Sequence, residues 1–98
     1  MRQLDISVAA RHDLGDIRVY SVEHFGSEVA AAYLAGFDAA FRRILDFPQL
    51  GALSPNIKPA TRVLIHRSHR IYYRVTKADI QIVRIFHQAQ NAAAALLN

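Results

Sequence analysis

The chain has 98 residues, no cysteine and a formal net charge of +4. This length fits one domain with a small core, which we assign to residues 1–98. The lack of cysteine excludes disulfides, thiolate chemistry and zinc sites with cysteine ligands. Because the sequence shows neither an apolar signal core nor a membrane-spanning run, we expect a cytoplasmic protein without membrane contact.

Positive charge is concentrated in the C-terminal part of the sequence. Residues 1–57 contain five arginines and seven acidic residues, which gives −2. Residues 58–98 contain five arginines, two lysines and one acidic residue, which gives +6. This segregation indicates a basic face that binds an acidic partner or a nucleic acid. A solvated surface that only aids solubility is the alternative.

The N-terminal part predicts a short strand followed by two helices. Leu4–Val8 alternates apolar and polar residues, and Ser7 is suited to cap the first helix. Gly26 is a good helix terminator, Ser27 a good second cap, and Pro48 ends the second helix. Apolar residues at helical spacing define one face of each helix. They are Ala10, Leu14, Ile17, Tyr20 or Ser21 and Phe25 in the first, and Ala30, Tyr33, Leu34, Phe37, Ala40, Phe41, Ile44 and Leu45 in the second.

The remainder of the chain is β in character. Residues 50–60 contain the helix and strand breakers of a loop. We then predict strands at Arg62–His66, His69–Thr76 and Asp79–His87, the last two joined by a tight hairpin at Lys77-Ala78. This order predicts an α+β fold, in which an N-terminal strand joins a small antiparallel sheet and a two-helix hairpin packs on one face of that sheet.

Alternation along the middle predicted strand separates two sets of side chains. Ile71 and Tyr73 belong against the helices, so Arg70, Tyr72 and Arg74 face the other way. This arrangement places two guanidinium groups beside an aromatic ring on the open face.

The last predicted strand is apolar on both sides. Simple alternation places Ile82 and Phe86 on one side and Ile85 on the other. Such a strand lies centrally in its sheet, or its second face is covered by something else, and in so short a chain another protein is a candidate for that cover. The candidate partner-binding residues on these strands are Arg62, Arg70, Tyr72, Arg74, Arg84, Phe86 and His87.

The histidines allow both structural and functional interpretations. His87, at the end of the last strand, is the best placed for acid–base chemistry, because imidazole titrates near neutrality. A structural role is equally compatible with its position. His12 and His24 lie on the first helix, while His66 and His69 flank a turn. Their spacing does not suggest a metal site, and we predict neither a metal nor a cofactor.

The sequence resembles the ParE toxin family along about 85 residues. Each shared motif is short, and it is their order and spacing that carry the resemblance. They are Ser7, Ala10, Asp13, Leu14, Ile17 and Tyr20; Phe25-Gly26; Ala30, Tyr33, Phe37 and Ile44; Phe47-Pro48-Gln49-Leu50-Gly51; Ile57-Lys58-Pro59 and Arg62; Ser68 to Val75; and Ile82 to Gln88.

The resemblance implies the toxin of a type II toxin–antitoxin pair, with a fold shared by ParE and RelE proteins. It implies a non-enzymatic inhibitor of DNA gyrase that blocks replication. A ParD-like antitoxin would neutralise the toxin through a tail that folds on binding. The toxin would contact operator DNA only indirectly, through the antitoxin.

Two alternatives remain open within the superfamily. The first is a RelE-type, ribosome-dependent mRNA endonuclease, for which Arg70 and His87 are the candidate catalytic residues. However, Ala89 stands where the family usually has an arginine, and the tail lacks the basic and aromatic residues of a nuclease. The second is a degenerate member that binds an antitoxin but has lost toxicity.

Overall fold

The computed structural model describes residues 2–90, which form two helices on one face of a five-stranded sheet. The sheet order is β1-β5-β4-β3-β2, with β1 parallel to β5 and all other neighbours antiparallel. This architecture confirms the predicted α+β fold. In chain order the elements are β1 (Gln3–Ile6), α1 (Val8–Phe25), α2 (Ser27–Asp46), β2 (Ala52–Leu53), β3 (Arg62–His66), β4 (His69–Val75) and β5 (Asp79–His87).

The two helices form a tight hairpin whose ends follow from local chemistry. The Ser7 hydroxyl accepts a hydrogen bond from the Ala10 N–H at 2.9 Å, which confirms the predicted cap of α1. Gly26 separates α1 from α2 with a φ of +85°, a conformation that glycine adopts without steric cost. The prediction that Ser27 caps α2 is wrong, because Gly26 occupies the cap position and Ser27 is already helical.

The main core lies between the helices and the sheet. The apolar face predicted for α2 supplies its centre, and the helix-facing residues of β4 and β5 complete it. No helix among residues 2–90 is long and apolar enough to cross a membrane. The buried members of the core are Ala10, Phe37, Ala40, Phe41, Ile44, Ile71, Tyr73, Ile80, Ile82 and Ile85.

A β-bulge in β5 changes which of its side chains face the helices. Tyr72 pairs with Arg84 and Tyr73 pairs with Ile82, so Val83 is an extra residue on β5. The alternation changes phase there, and both Ile82 and Ile85 enter the main core. The prediction that these two isoleucines lie on opposite faces is therefore wrong.

The opposite face of the sheet has a small apolar cluster of its own. Tyr72 and Phe86 are 6% and 2% exposed, and they pack with Ile57 and Val63. Ile57 belongs to the loop between β2 and β3. β5 lies between β1 and β4, as expected for a strand that is apolar on both sides, and a loop of the same chain, rather than another protein, covers these side chains.

Tyr73 fixes the segment between α2 and β2 from inside the main core. Its hydroxyl donates to the Pro48 carbonyl at 2.8 Å and accepts from the Gly51 N–H at 2.7 Å. Burial raises the pKa of Tyr73 above its ordinary value, although its contacts with Gly51 and Arg62 oppose that effect. The short strand β2 begins directly after this anchor, within the segment that we predicted as loop.

Candidate functional site

An open apolar groove lies on the helical side of the molecule. It has a volume of about 730 Å³ and runs between the helix hairpin and the ends of β4 and β5. We call it the helix groove. Its lining residues are Asp16, Ile17, Tyr20, Ser21, Phe25, Val29, Tyr33, Ser68, His69 and His87.

The groove is open because the apolar stripe of α1 extends beyond the part of the helix that packs against the core. Ala10 is fully buried and Leu14 packs against the main core. Farther along α1, Tyr20 and Phe25 are 57% and 61% exposed, and Val29 on α2 is 54% exposed. Adjacent exposed side chains of this size are typical of a protein-binding surface.

The polar end of the groove contains two adjacent histidines. His69 and His87 are cross-strand neighbours, with ring centroids 5.4 Å apart and ring planes at 88°. His69 Nδ1 lies 2.6 Å from the Tyr33 hydroxyl, and His87 Nδ1 accepts from the Ala89 N–H at 3.1 Å. Three different segments, namely α2, the start of β4 and the end of β5, therefore converge on this end.

Two of the neighbouring histidines resist protonation. Burial lowers the pKa of His69, and the nearby His87 and His66 lower it further. Burial also lowers the pKa of His66, as do Arg67 and Arg43. Within the described residues His66 Nε2 is buried without a hydrogen-bond partner. Burial on the helical side of the sheet therefore disfavours the charged form of both imidazoles.

The sheet surface opposite the helices is basic, and we call it the outer face. Arg70 and Arg74 lie there on β4, at either side of buried Tyr72. Their side-chain hydrogen bonds within residues 2–90 are with neutral groups, since Arg70 donates to the Gln88 carbonyl and Arg74 to the Thr61 hydroxyl. Both guanidinium groups therefore keep their charge available to a partner.

Arg84, also assigned to this face, is engaged within the chain. It forms a bidentate pair with Asp13 of α1, with both N–O distances 2.9 Å, and its guanidinium lies 4.4 Å from the Phe86 ring centroid. The Asp13 hydrogen bond raises the pKa of Arg84. Asp13 also accepts from the Ile85 N–H at 2.9 Å, so it ties α1 to β5.

The structure separates the residues that we predicted as one partner-binding surface. Arg70 and Arg74 share the outer face, whereas Arg62 pairs with Tyr73 on the helical side and donates to the Gly51 carbonyl. His87 lines the helix groove. Sequence reasoning did not identify the groove, although the exposed half of the α1 stripe was visible in the spacing of Tyr20 and Phe25.

The two residues considered for nuclease chemistry do not converge. Arg70 is paired with Phe86 on the outer face, while His87 is paired with His69 on the helical side. A base and a cation that act on one phosphate must lie within reach of the same atoms. Among residues 2–90, moreover, no group of three or more metal-binding side chains is present.

Comparison with known proteins agrees with this fold. The sequence pattern of the family described as ParE toxin of type II toxin-antitoxin system, parDE, matches residues 4–92. The chain belongs to the ParE toxin family. It is 34% identical over 96 residues to Toxin ParE1 of Caulobacter vibrioides, a match covering 98% of this chain and 99% of that protein.

Other ParE proteins are similar over most of their length. Toxin ParE1 of Mycobacterium tuberculosis is 33% identical over 84 residues, which cover 85% of this ParE-family chain and 86% of that protein. Among solved structures, a chain of the chromosomal ParDE TA system from P. aeruginosa superposes with a TM-score of 0.77 at 27% identity. That superposition covers 89% of this chain and 96% of the other.

Proposed function

We propose that this ParE-family toxin inhibits DNA gyrase, blocks replication and is neutralised by a cognate ParD-like antitoxin. The observation that carries the proposal is the family match over residues 4–92, which spans both helices and all five strands except Gln3, the first residue of β1. The toxin reaches operator DNA only through the antitoxin. It acts by binding, since Arg70 and His87 point to opposite faces of the sheet.

The outer face is the surface that we assign to the target. Arg70 and Arg74 project from one strand, on the side away from the helix hairpin. Charges of one sign on a rigid sheet favour association with an oppositely charged surface. Tyr72, which lies between the two arginines on β4, is buried and does not itself contact the target. Phe86 packs against Tyr72 and Arg84 lies over the Phe86 ring, so these two residues contribute to the outer face from within the chain.

The helix groove is the surface that we assign to the antitoxin. It exposes large apolar side chains on two helices, where an apolar segment of a partner gains the free energy of burial. A tail that folds on binding is suited to a long groove of this kind. His87 contributes to this site rather than to the outer face.

A supercoiling assay tests the gyrase assignment. Purified toxin added to gyrase, ATP and relaxed plasmid should abolish supercoiling. The double variant Arg70→Glu/Arg74→Glu should need about tenfold more toxin for half-inhibition, because each lost charge contact weakens the complex. The matched control is Arg18→Glu/Arg42→Glu, which reverses two exposed arginines on the helices and should inhibit like the native chain.

Three results would contradict parts of this proposal. Unchanged inhibition by the Arg70→Glu/Arg74→Glu variant would remove the outer face from the mechanism. Rapid arrest of translation with cleaved messages, in cells expressing the toxin, would instead identify the ribosome-dependent nuclease. Absence of any growth defect would identify a member that has lost toxicity.

A further inference from the structure

We propose that antitoxin binding in the helix groove is coupled to the protonation of His69 and His87, so that acidification weakens the complex. The inference rests on the antitoxin assignment above and adds a regulatory property to it. It follows from the charge of the groove, the hydrogen bonds of the two imidazoles and their burial beneath a bound segment.

The charge of the groove changes sign when the histidines are protonated. At neutral pH its lining contains one ionised side chain, Asp16, together with apolar, hydroxyl and imidazole groups. The complementary occupant is an apolar antitoxin segment with a cationic side chain placed against Asp16. Protonation of His69 and His87 changes the net charge of the lining from −1 to +1, which opposes that segment.

His87 Nδ1 acts as an acceptor, and His69 Nδ1 lies against a hydroxyl that can donate or accept. His87 Nδ1 accepts from the Ala89 N–H, and a proton on this nitrogen would leave two donors facing each other. His69 Nδ1 lies 2.6 Å from the Tyr33 hydroxyl. A protonated His69 would force Tyr33 to accept, which turns the tyrosine hydrogen towards other acceptors such as the Ser68 hydroxyl at 3.5 Å.

The charged neighbours act in both directions, since His66 disfavours a proton on His69 and the carboxylate of Asp16 favours one. The elements around the pair contribute Asp16 from α1, Tyr33 from α2 and His66 from β3, and Arg67 in the turn before β4 acts on His66. Among residues 2–90 no carboxylate hydrogen-bonds to either imidazole of the pair. An apolar segment laid over the rings removes water from them, and this desolvation disfavours the charged form further.

The thermodynamic consequence is release of protons on binding. If the antitoxin binds the neutral groove more tightly than the protonated groove, protons and antitoxin compete by linkage. The affinity should therefore fall as the pH is lowered through the range in which imidazole titrates. A difference of one unit in the pKa of an imidazole between the free and the bound toxin corresponds to about a tenfold change in affinity.

Calorimetric titration with the full-length antitoxin encoded beside the toxin gene tests this coupling. The dissociation constant should rise at least about tenfold between pH 7.5 and pH 5.5. Titrations in buffers of different ionisation enthalpy should show proton release on binding. The double variant His69→Asn/His87→Asn retains acceptors near the two Nδ1 positions and should lose most of this pH dependence.

His12→Gln is the matched control, since His12 is exposed on α1 and does not line the groove. It should keep the full pH dependence. Equal affinity at the two pH values, or an unchanged pH dependence in the double variant, would overturn the coupling alone. Absence of binding at pH 7.5 would overturn the antitoxin assignment as well. Circular dichroism at pH 5.5 establishes that the toxin is folded in each titration.

Discussion

The buried hydroxyl of Tyr73 positions a segment of the main chain in this small toxin. Its hydroxyl uses both its donor and its acceptor capacity, towards Pro48 and Gly51, and so holds the chain between α2 and β2. Gly51 lies so close that a Cβ atom there would be 2.8 Å from the Tyr73 ring and from the Val63 carbonyl. The contact therefore requires glycine for space.

Substitution of Gly51 by alanine should destabilise the fold. We expect Gly51→Ala to lower the free energy of unfolding by about 1–3 kcal/mol, because a buried ring and a strand carbonyl must move. Each kcal/mol should lower the Tm by about 4–8 °C in a domain of this size. Gly15→Ala is the matched control, since a Cβ there meets open space inside α1 and should leave stability unchanged or higher. Equal melting temperatures for native protein and Gly51→Ala would refute the argument.

The stability of the free toxin should also depend on pH. The pKa values of His66 and His69 are lowered in the folded state, so the unfolded chain binds protons more readily. Stability should be constant above the unfolded imidazole value of about 6.5 and should decrease as the pH falls below it. Urea unfolding at pH 7.5 and pH 5.5 measures this slope. His66→Asn/His69→Asn should flatten it and His12→Gln should not.

At the scale of single residues, the sequence identified local contacts and missed distant ones. The Ser7 cap acts three residues away, so its chemistry was readable from spacing. The pair of Asp13 and Arg84 joins residues 71 positions apart, and nothing in the sequence spacing links them. The Tyr33–His69 contact, which spans 36 positions, was missed for the same reason.

The bulge in β5 is the main feature at the scale of elements. It lets three isoleucines of one strand enter the core and leaves Phe86 and Arg84 on the outer face. Asp13 stabilises this geometry, because it binds the Arg84 side chain and the Ile85 N–H just beyond the extra residue. A carboxylate on α1 thus supports the irregular part of a strand.

Removal of that carboxylate should loosen the junction between α1 and β5. Asp13 and Arg84 are 12% and 31% exposed, so the pair is only partly screened. We expect Asp13→Asn to lower the free energy of unfolding by about 1–2 kcal/mol. It should also increase amide hydrogen exchange at Ile85. Glu23→Gln, an exposed change on the same helix, should alter neither quantity. Unaltered exchange at Ile85 in Asp13→Asn would contradict this role.

Most elements were predictable because their apolar residues repeat at the period of a helix or a strand. The strong apolar face of α2 and the predicted bounds of β3 and β5 agree with the structure. The bulge carried no glycine or proline to mark it, and a two-residue strand such as β2 is too short to show alternation. The apolar cluster on the outer face depends on the bulge in β5 and on the chain that follows β2. The sequence therefore did not predict that Ile57 covers this cluster.

At the scale of the whole molecule, the two candidate surfaces lie on opposite sides of one sheet. The helix groove uses the hairpin and the ends of β4 and β5, whereas Arg70 and Arg74 project from the other side of β4. A segment in the groove therefore leaves these arginines uncovered unless the antitoxin continues around the sheet. Binding and toxicity should be separable by substitution.

A groove variant should inhibit gyrase while escaping neutralisation. We expect Tyr20→Ser/Phe25→Ser to bind antitoxin at least about tenfold more weakly, because two exposed aromatic anchors are lost. Its Tm and its inhibition of gyrase in the absence of antitoxin should match those of the native toxin. Leu53→Ser removes an apolar side chain that is also 57% exposed but lies outside the groove, and should be neutralised normally. Full neutralisation of the groove variant would argue against this binding site.

The Asp13 contact has a further consequence for how the toxin behaves in solution. Beyond Ile82, β5 no longer pairs with β1. Without other partners, the backbone N–H groups along this edge of β5 would be exposed. The N–H of Ile85 is bound by Asp13 and that of His87 by the Gln90 side chain. These are the groups that an incoming strand from another molecule would need for pairing. Two side chains thus protect this border of the sheet against edge-to-edge aggregation.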